Sequence, residues 1–207
     1  FVHVSCLAEQ AKILVEEAVE NNLDNQAWYR WHTCSLCEQR YHGVVFCALG
    51  WACWKTYVGR AETDSTRLYA MTQLGNGLCD AGHHEDALSV QEAELAIKRR
   101  LGASEDSENI LAVQSNLAMT YTSLGRDEEA LHLRRGVYSV CLKQFGEHEH
   151  TLLAANNYAA SLVNLRRFKE AKSLMLKMMP VARRVLGEND ETKLRMRWYY
   201  AVALNQD

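Results

Sequence analysis

Only one proline, Pro180, interrupts the 207 residues, and the 11 glycines rarely cluster, so the chain has few means of turning β-strands around. Period-two alternation is equally scarce, and a sheet-based fold is not expected. No apolar run approaches the roughly 20 residues that span a bilayer. The most apolar stretch, GVVFCALGWACW, stops at Lys55. Charge of one sign is also lacking: 23 basic against 26 acidic residues leave a net charge of -3, with no general attraction to nucleic acid or an anionic membrane. Motifs of catalysis are missing as well. Without G-x-S-x-G, H-E-x-x-H or a phosphate-cradling glycine loop, no enzyme is expected. The seven cysteines are an odd number and unevenly spread, which suits a reducing compartment better than a disulfide framework; a cytoplasmic location is expected.

What the chain has in abundance is helical spacing. Ile110, Val113, Leu117, Tyr121 and Leu124 are separated by 3, 4, 4 and 3, which lines one helix face. The segment also repeats itself. NLAMTYTSLGRDEEAL begins at Asn116, NYAASLVNLRRFKEAK at Asn157, and a weaker copy, QLGNGLCDAGHHEDAL, at Gln73. The alanine near each end falls at Ala87, Ala130 and Ala171, at intervals of 43 and 41. Gly102, Gly146 and Gly187 close a second landmark (RRLG, KQFG, RVLG) at intervals of 44 and 41. Each unit reads as helix, turn, helix. Gly82 and Gly125 stand where a left-handed residue closes the first helix, and Arg166 takes that place in the third copy. A lone hairpin of this kind cannot hide its apolar face, so the copies must stack.

SNLAMTYTSLGRDEEAL, NNYAASLVNLRRFKEA and the links QFGEHEHTL and VLGENDETK resemble the tetratricopeptide repeat in its longer, kinesin-light-chain-like form. The resemblance covers about Asp64 to Asp207. It implies an all-α fold, an α-α superhelix or tetratricopeptide-like solenoid, with repeats at about 64–106, 107–148, 149–190 and a partial copy at 191–207. Residues 1–63 are then an N-terminal cap: a helix around Leu7 to Asn21 followed by a cysteine-rich segment. Pro180 falls inside a helical pattern, where a kink or break is expected.

Family grooves are lined by the first helix of each repeat. Carried over by position, the resemblance marks Thr72, Gln73 and Asn76, then Ser115, Asn116 and Met119, then Asn156 and Asn157, and finally Trp198 and Tyr199, with Arg195 nearby. A carboxamide both donates and accepts, so a row of them can hold the backbone of an extended peptide without demanding one side chain. The function this implies is a non-catalytic scaffold that binds a peptide or protein partner, with no membrane role.

One motif lies outside the repeats. Cys34-x2-Cys37-x4-His42-x4-Cys47 has the ligand types and spacing of a CCHC zinc knuckle, and four such donors suit a closed, structural zinc site. A helix starting near Val44 would favour thiolate at Cys47. Its alternative place is in a buried stripe with Trp51, Trp54 and Val58. With Trp28, Tyr29, Trp31 and Tyr41 around it, such a knuckle would be an RNA-binding adaptor; otherwise these rings cap the first repeat. The arginine pairs 99–100, 134–135, 166–167 and 183–184 raise the option of a basic stripe. A third reading makes the chain the regulatory region of a larger enzyme, since it opens on Phe1 and stops inside a helical pattern.

Overall fold

A computed structural model describes residues 3–21 and 25–205, and among these every regular element is helical apart from one antiparallel bridge, Thr33 to Arg40. The fold is an all-α, tetratricopeptide-like solenoid. Two compact units divide it, residues 1–105 and 106–207.

The first unit contains α1 (Val4–Glu20), a short 3-10 helix (Asn25–Trp31), α2 (Gly43–Tyr57), α3 (Ser65–Asp80) and α4 (His84–Arg100). Each packs on its neighbour in the chain. Ala11 and Val15 of α1 meet Trp28, Trp31, Cys53, Tyr57 and Ala70 in one core, so the cysteine-bearing segment and the first hairpin share a hydrophobic interior. The Trp28 ring lies 4.4 Å from Tyr69 and 5.5 Å from Tyr57. Burial pushes the Tyr57 hydroxyl up to about 12.

The buried stripe of α2 is not the expected one. Trp51 and Val58 are exposed, at 43% and 39%, while Phe46, Leu49, Gly50, Cys53 and Tyr57 are covered. Backbone approach decides the matter. A Cβ on Gly50 would lie 2.8 Å from the Gln73 carbonyl oxygen, and one on Gly77 would lie 2.9 Å from the Phe46 carbonyl oxygen. Only the glycine face lets α2 and α3 come this close, so it turns inward and takes Cys53 with it.

The second unit holds α5 (Glu108–Ser123), α6 (Asp127–Phe145), α7 (Glu149–Asn164), α8 (Phe168–Val185) and α9 (Glu191–Asn205). Residues 206 and 207 of the fourth copy lie outside the described residues. The core is built from Leu152, Ala155, Ala159 and Leu162 of α7 against Met175, Met178 and Ala182 of α8 and Met196 of α9. Short polar side chains set the helix starts: Asp64 accepts from the Thr66 amide at 2.8 Å, Ser107 from Ile110 at 3.4 Å, and Asp190 from Thr192 at 2.8 Å. Acidic first turns, such as Asp127 to Glu129 in α6, complement the dipole.

The helix-helix turns follow one design. Gly82 and Gly125 have φ of 84° and 71°, and Arg166, in the third copy, is held at 56°. In all three, the next amide reaches back to the carbonyl five residues earlier, as in Arg167 to Leu162 at 2.8 Å. Arg166→Gly is therefore expected to add about 1 kcal/mol to the second unit by removing a non-glycine residue from the left-handed region. A urea titration of the two proteins checks it, and an unchanged midpoint would contradict the strain argument.

Pro180 does not break its helix. α8 runs unbroken from Phe168 to Val185. Pro180 is on the exposed side and so is Leu176, four residues earlier, where a carbonyl deprived of its amide partner can bond to water.

Candidate functional site

Three helices of the second unit enclose a continuous hollow. α5 contributes Glu108, Leu111, Ala112, Ser115, Asn116 and Met119, a face with steps of 3, 1, 3, 1 and 3. From α7 come His150, Leu153, Ala154 and Asn157, and from α6 come Arg134, Val137, Cys141 and Phe145. The hollow has two parts, of about 340 Å³ and 210 Å³, which share Ser115, Val137, Ala154 and Asn157. The larger part is mainly apolar, built on Leu111, Val137, Phe145 and Leu153. The smaller has more polar character: Ser115, Asn116, Asn157 and Arg134 line it together with Met119, Val137 and Ala154.

Arg134 is half-buried, and its guanidinium donates to the Ser161 hydroxyl at 2.9 Å and to the Asn157 carbonyl at 3.4 Å, both neutral acceptors. Burial lowers its pKa, against the opposing pull of Tyr199 and Asp127. Four of the other arginines in the arginine pairs are neutralised on solvated faces. Arg99 pairs with Glu105, Arg100 with Glu62, Arg167 with Glu170 and Arg184 with Glu147. Arg134 is distinguished from these four by its place in the hollow and by its neutral partners.

Of the groove residues marked from sequence, the structure brings Ser115, Asn116, Met119 and Asn157 together in this hollow. Met119 is 46% exposed at its lip. Asn156 is only 2% exposed: one residue from Asn157, it is rotated by about 100° and turns into the helix packing. On α9, Trp198 is 58% exposed and stands edge-on to Tyr199 at 4.9 Å. Arg195 pairs with Glu191.

In the first unit, Thr72 and Gln73 serve helix packing. The Thr72 hydroxyl donates to Glu94 Oε1 at 2.6 Å, and Lys98 Nζ lies 2.7 Å from the same oxygen. Gln73 is buried where its own backbone meets Gly50, and Asn76 is half-covered. Reasoning from first helices alone overlooked α6, which supplies Arg134, Val137, Cys141 and Phe145. Their spacing of 3, 4 and 4 was the available signal.

The four candidate zinc ligands do not converge. Among the described residues no group of three or more histidine, cysteine or acidic side chains is placed to hold a metal ion. Cys34 and Cys37 are neighbours, but His42 turns to Asp80, with Nδ1 3.8 Å from its carboxylate. Asp80 also accepts the Gly43 amide at the start of α2. Cys47 packs against the cluster of Leu74, Leu78 and Ala87. Partial burial and the nearby Asp86 push its thiol up, opposite to the thiolate expected there; it sits just beyond the first turn of α2. His148 and His150 stack on each other at 4.9 Å beside Phe145, which is a packing arrangement, and His148 Nδ1 accepts the His150 amide at the start of α7. Trp28 and Trp31 are buried and offer no face to a nucleic-acid base.

With this geometry in place, comparison with known proteins agrees on the fold. Residues 110–149 and 151–191 match the tetratricopeptide repeat family. Solved structures of kinesin-light-chain repeats are similar: the nearly identical tetratricopeptide-like repeats from Podosopora anserina superpose with a TM-score of 0.65 at 19% identity, covering 100% of this chain and 89% of that one. BtubC (BKLC) from P. vanneervenii superposes at 0.66 with 15% identity, covering 100% and 86%. A search of curated proteins gave no match.

Proposed function

We propose that the chain is a non-catalytic interaction scaffold whose second unit holds an extended peptide, or an extended segment of a protein, in the α5–α6–α7 hollow. The observation that carries this reading is the meeting of Asn116 and Asn157 in one cavity beside an apolar cleft. Carboxamides can bond to a peptide backbone from both sides, while the cleft over Leu111, Phe145 and Leu153 takes an apolar side chain. Arg134, bonded to neutral acceptors, leaves a positive charge for a carboxylate of the bound segment. Trp198 and Tyr199 extend the receiving surface on α9. Among the described residues no helix is long and apolar enough to cross a membrane; on the separate ground of the odd, unevenly spread cysteines we propose a reducing compartment, the cytoplasm. The fold of the similar solved structures and the repeat match support a binding role over chemistry.

The test is a selection from a random peptide library with the intact chain, followed by affinity measurements on a variant carrying Asn116→Ala and Asn157→Ala. Losing two backbone-directed amides should weaken the selected peptides about 10- to 100-fold. Far-UV circular dichroism should not change. Equal affinity for both proteins would place the peptide elsewhere.

A further inference from the structure

We propose that Cys34 and Cys37 form a vicinal dithiol that closes to an intramolecular disulfide by exchange with a small disulfide of the glutathione class, and that this reaction, not a four-ligand zinc centre, is the chemistry of the cysteine hairpin. The hairpin is shaped for it. The Cys34 amide donates to the Gln39 carbonyl at 2.8 Å, and the Glu38 amide returns to the Cys34 carbonyl at 3.1 Å, with Glu38 held at a φ of 58°. This tight turn folds Cys37 back toward Cys34 and sets the two thiols on the same side of the hairpin. Backbone amides of Leu36, at 3.5 Å, and Cys37 point at the same sulfur and stabilise negative charge there.

Access separates this pair from the other cysteines. Cys37 is exposed and Cys34 half-exposed, and Leu36 between them is 91% exposed, so a small disulfide can approach in line. Cys53, Cys79 and Cys141 are buried, and Cys47 is packed against Leu74 and Leu78. Cys6 is exposed on α1, where no second cysteine accompanies it among the described residues.

The exchange balances in two steps. The Cys34 thiolate attacks one sulfur of the small disulfide, forming a mixed disulfide and expelling one small thiolate, which takes up a proton. The Cys37 thiolate then attacks the Cys34 sulfur, breaks the mixed disulfide and expels the second small thiol. The protein loses two hydrogens, and one small disulfide becomes two thiols. Cys34 is the attacking group because its sulfur receives the amides; Cys37 resolves.

The full chain, purified without chelator, would be incubated with mixtures of glutathione and glutathione disulfide, quenched by alkylation and mapped by peptide mass. The expected product is two hydrogens lighter, with Cys34 and Cys37 linked and Cys6 still alkylated. Cys37→Ser should halt as a glutathione adduct on Cys34. Cys34→Ser should slow reaction of the segment at least about tenfold, since the sulfur favoured by the amides is gone. The wild-type map does not depend on either variant folding. Modification at Cys6 while Cys34 and Cys37 stay free would overturn the proposal. So would one zinc per chain that shields Cys34, Cys37, His42 and Cys47 from alkylation.

Discussion

Lys98→Met is expected to lower the stability of the first unit by about 3–5 kcal/mol, because it strands a buried carboxylate. Glu94 is 1% exposed and its Oε1 holds both the Lys98 ammonium at 2.7 Å and the Thr72 hydroxyl at 2.6 Å. Two donors on one oxygen offset the cost of removing the charge from water. Take the ammonium away and one hydroxyl must do so alone. The second substitution Glu94→Gln removes the charge itself, so the double variant should recover most of the loss. Urea unfolding followed by tryptophan fluorescence is a suitable readout, as four of the five tryptophans, Trp28, Trp31, Trp51 and Trp54, belong to this unit. A Lys98→Met protein within about 1 kcal/mol of wild type would show that the pair behaves as a surface ion pair does.

That network also shows where sequence reading stops. Thr72 and Asn76 were legible as residues on the groove side of a first helix, four apart on α3. What occupies that side was not legible, because Glu94 comes from another helix, and no periodicity within α3 reports a partner 22 residues away. In the second unit the same positional logic placed Ser115, Asn116, Met119 and Asn157 in one hollow, since the steps of α5 and α7 there are those of one helix face. Repeat spacing and turn residues carried the fold with little loss: even Arg166 keeps the left-handed geometry of the glycines it replaces. In the cysteine segment, ligand spacing constrains only the distance along the chain and not the direction in which each donor faces. Whether His42 faces Cys34 or Asp80 depends on where α3 ends, which spacing does not encode.

The α2 stripe failed for a related reason, and it leads to the second large effect. The spacing of Cys47, Trp51, Trp54 and Val58 made theirs the inner face; the structure leaves Trp51 and Val58 exposed and buries most fully the face that can approach most closely. Gly50→Ala should cost the first unit about 1–3 kcal/mol, and Gly77→Ala a similar amount. In both cases the new methyl meets backbone, 2.8 Å from the Gln73 oxygen or 2.9 Å from the Phe46 oxygen, and backbone in a packed helix cannot swing aside as a side chain can. The helices must separate, uncovering Phe46 and Leu49 on one side and Leu74 on the other. Because a single separation accommodates both methyls, the double variant should lose less than the sum of the two. Gly136 provides the control: it lies within α6, a Cβ there meets nothing within 4 Å, and Gly136→Ala should instead gain about 0.5–1 kcal/mol from helix propensity. For a unit of this size each kcal/mol moves the thermal midpoint by about 4–8 °C, so the opposite signs are easily separated by calorimetry. If all three alanine variants moved the same way, close approach would not be what turns α2 toward α3.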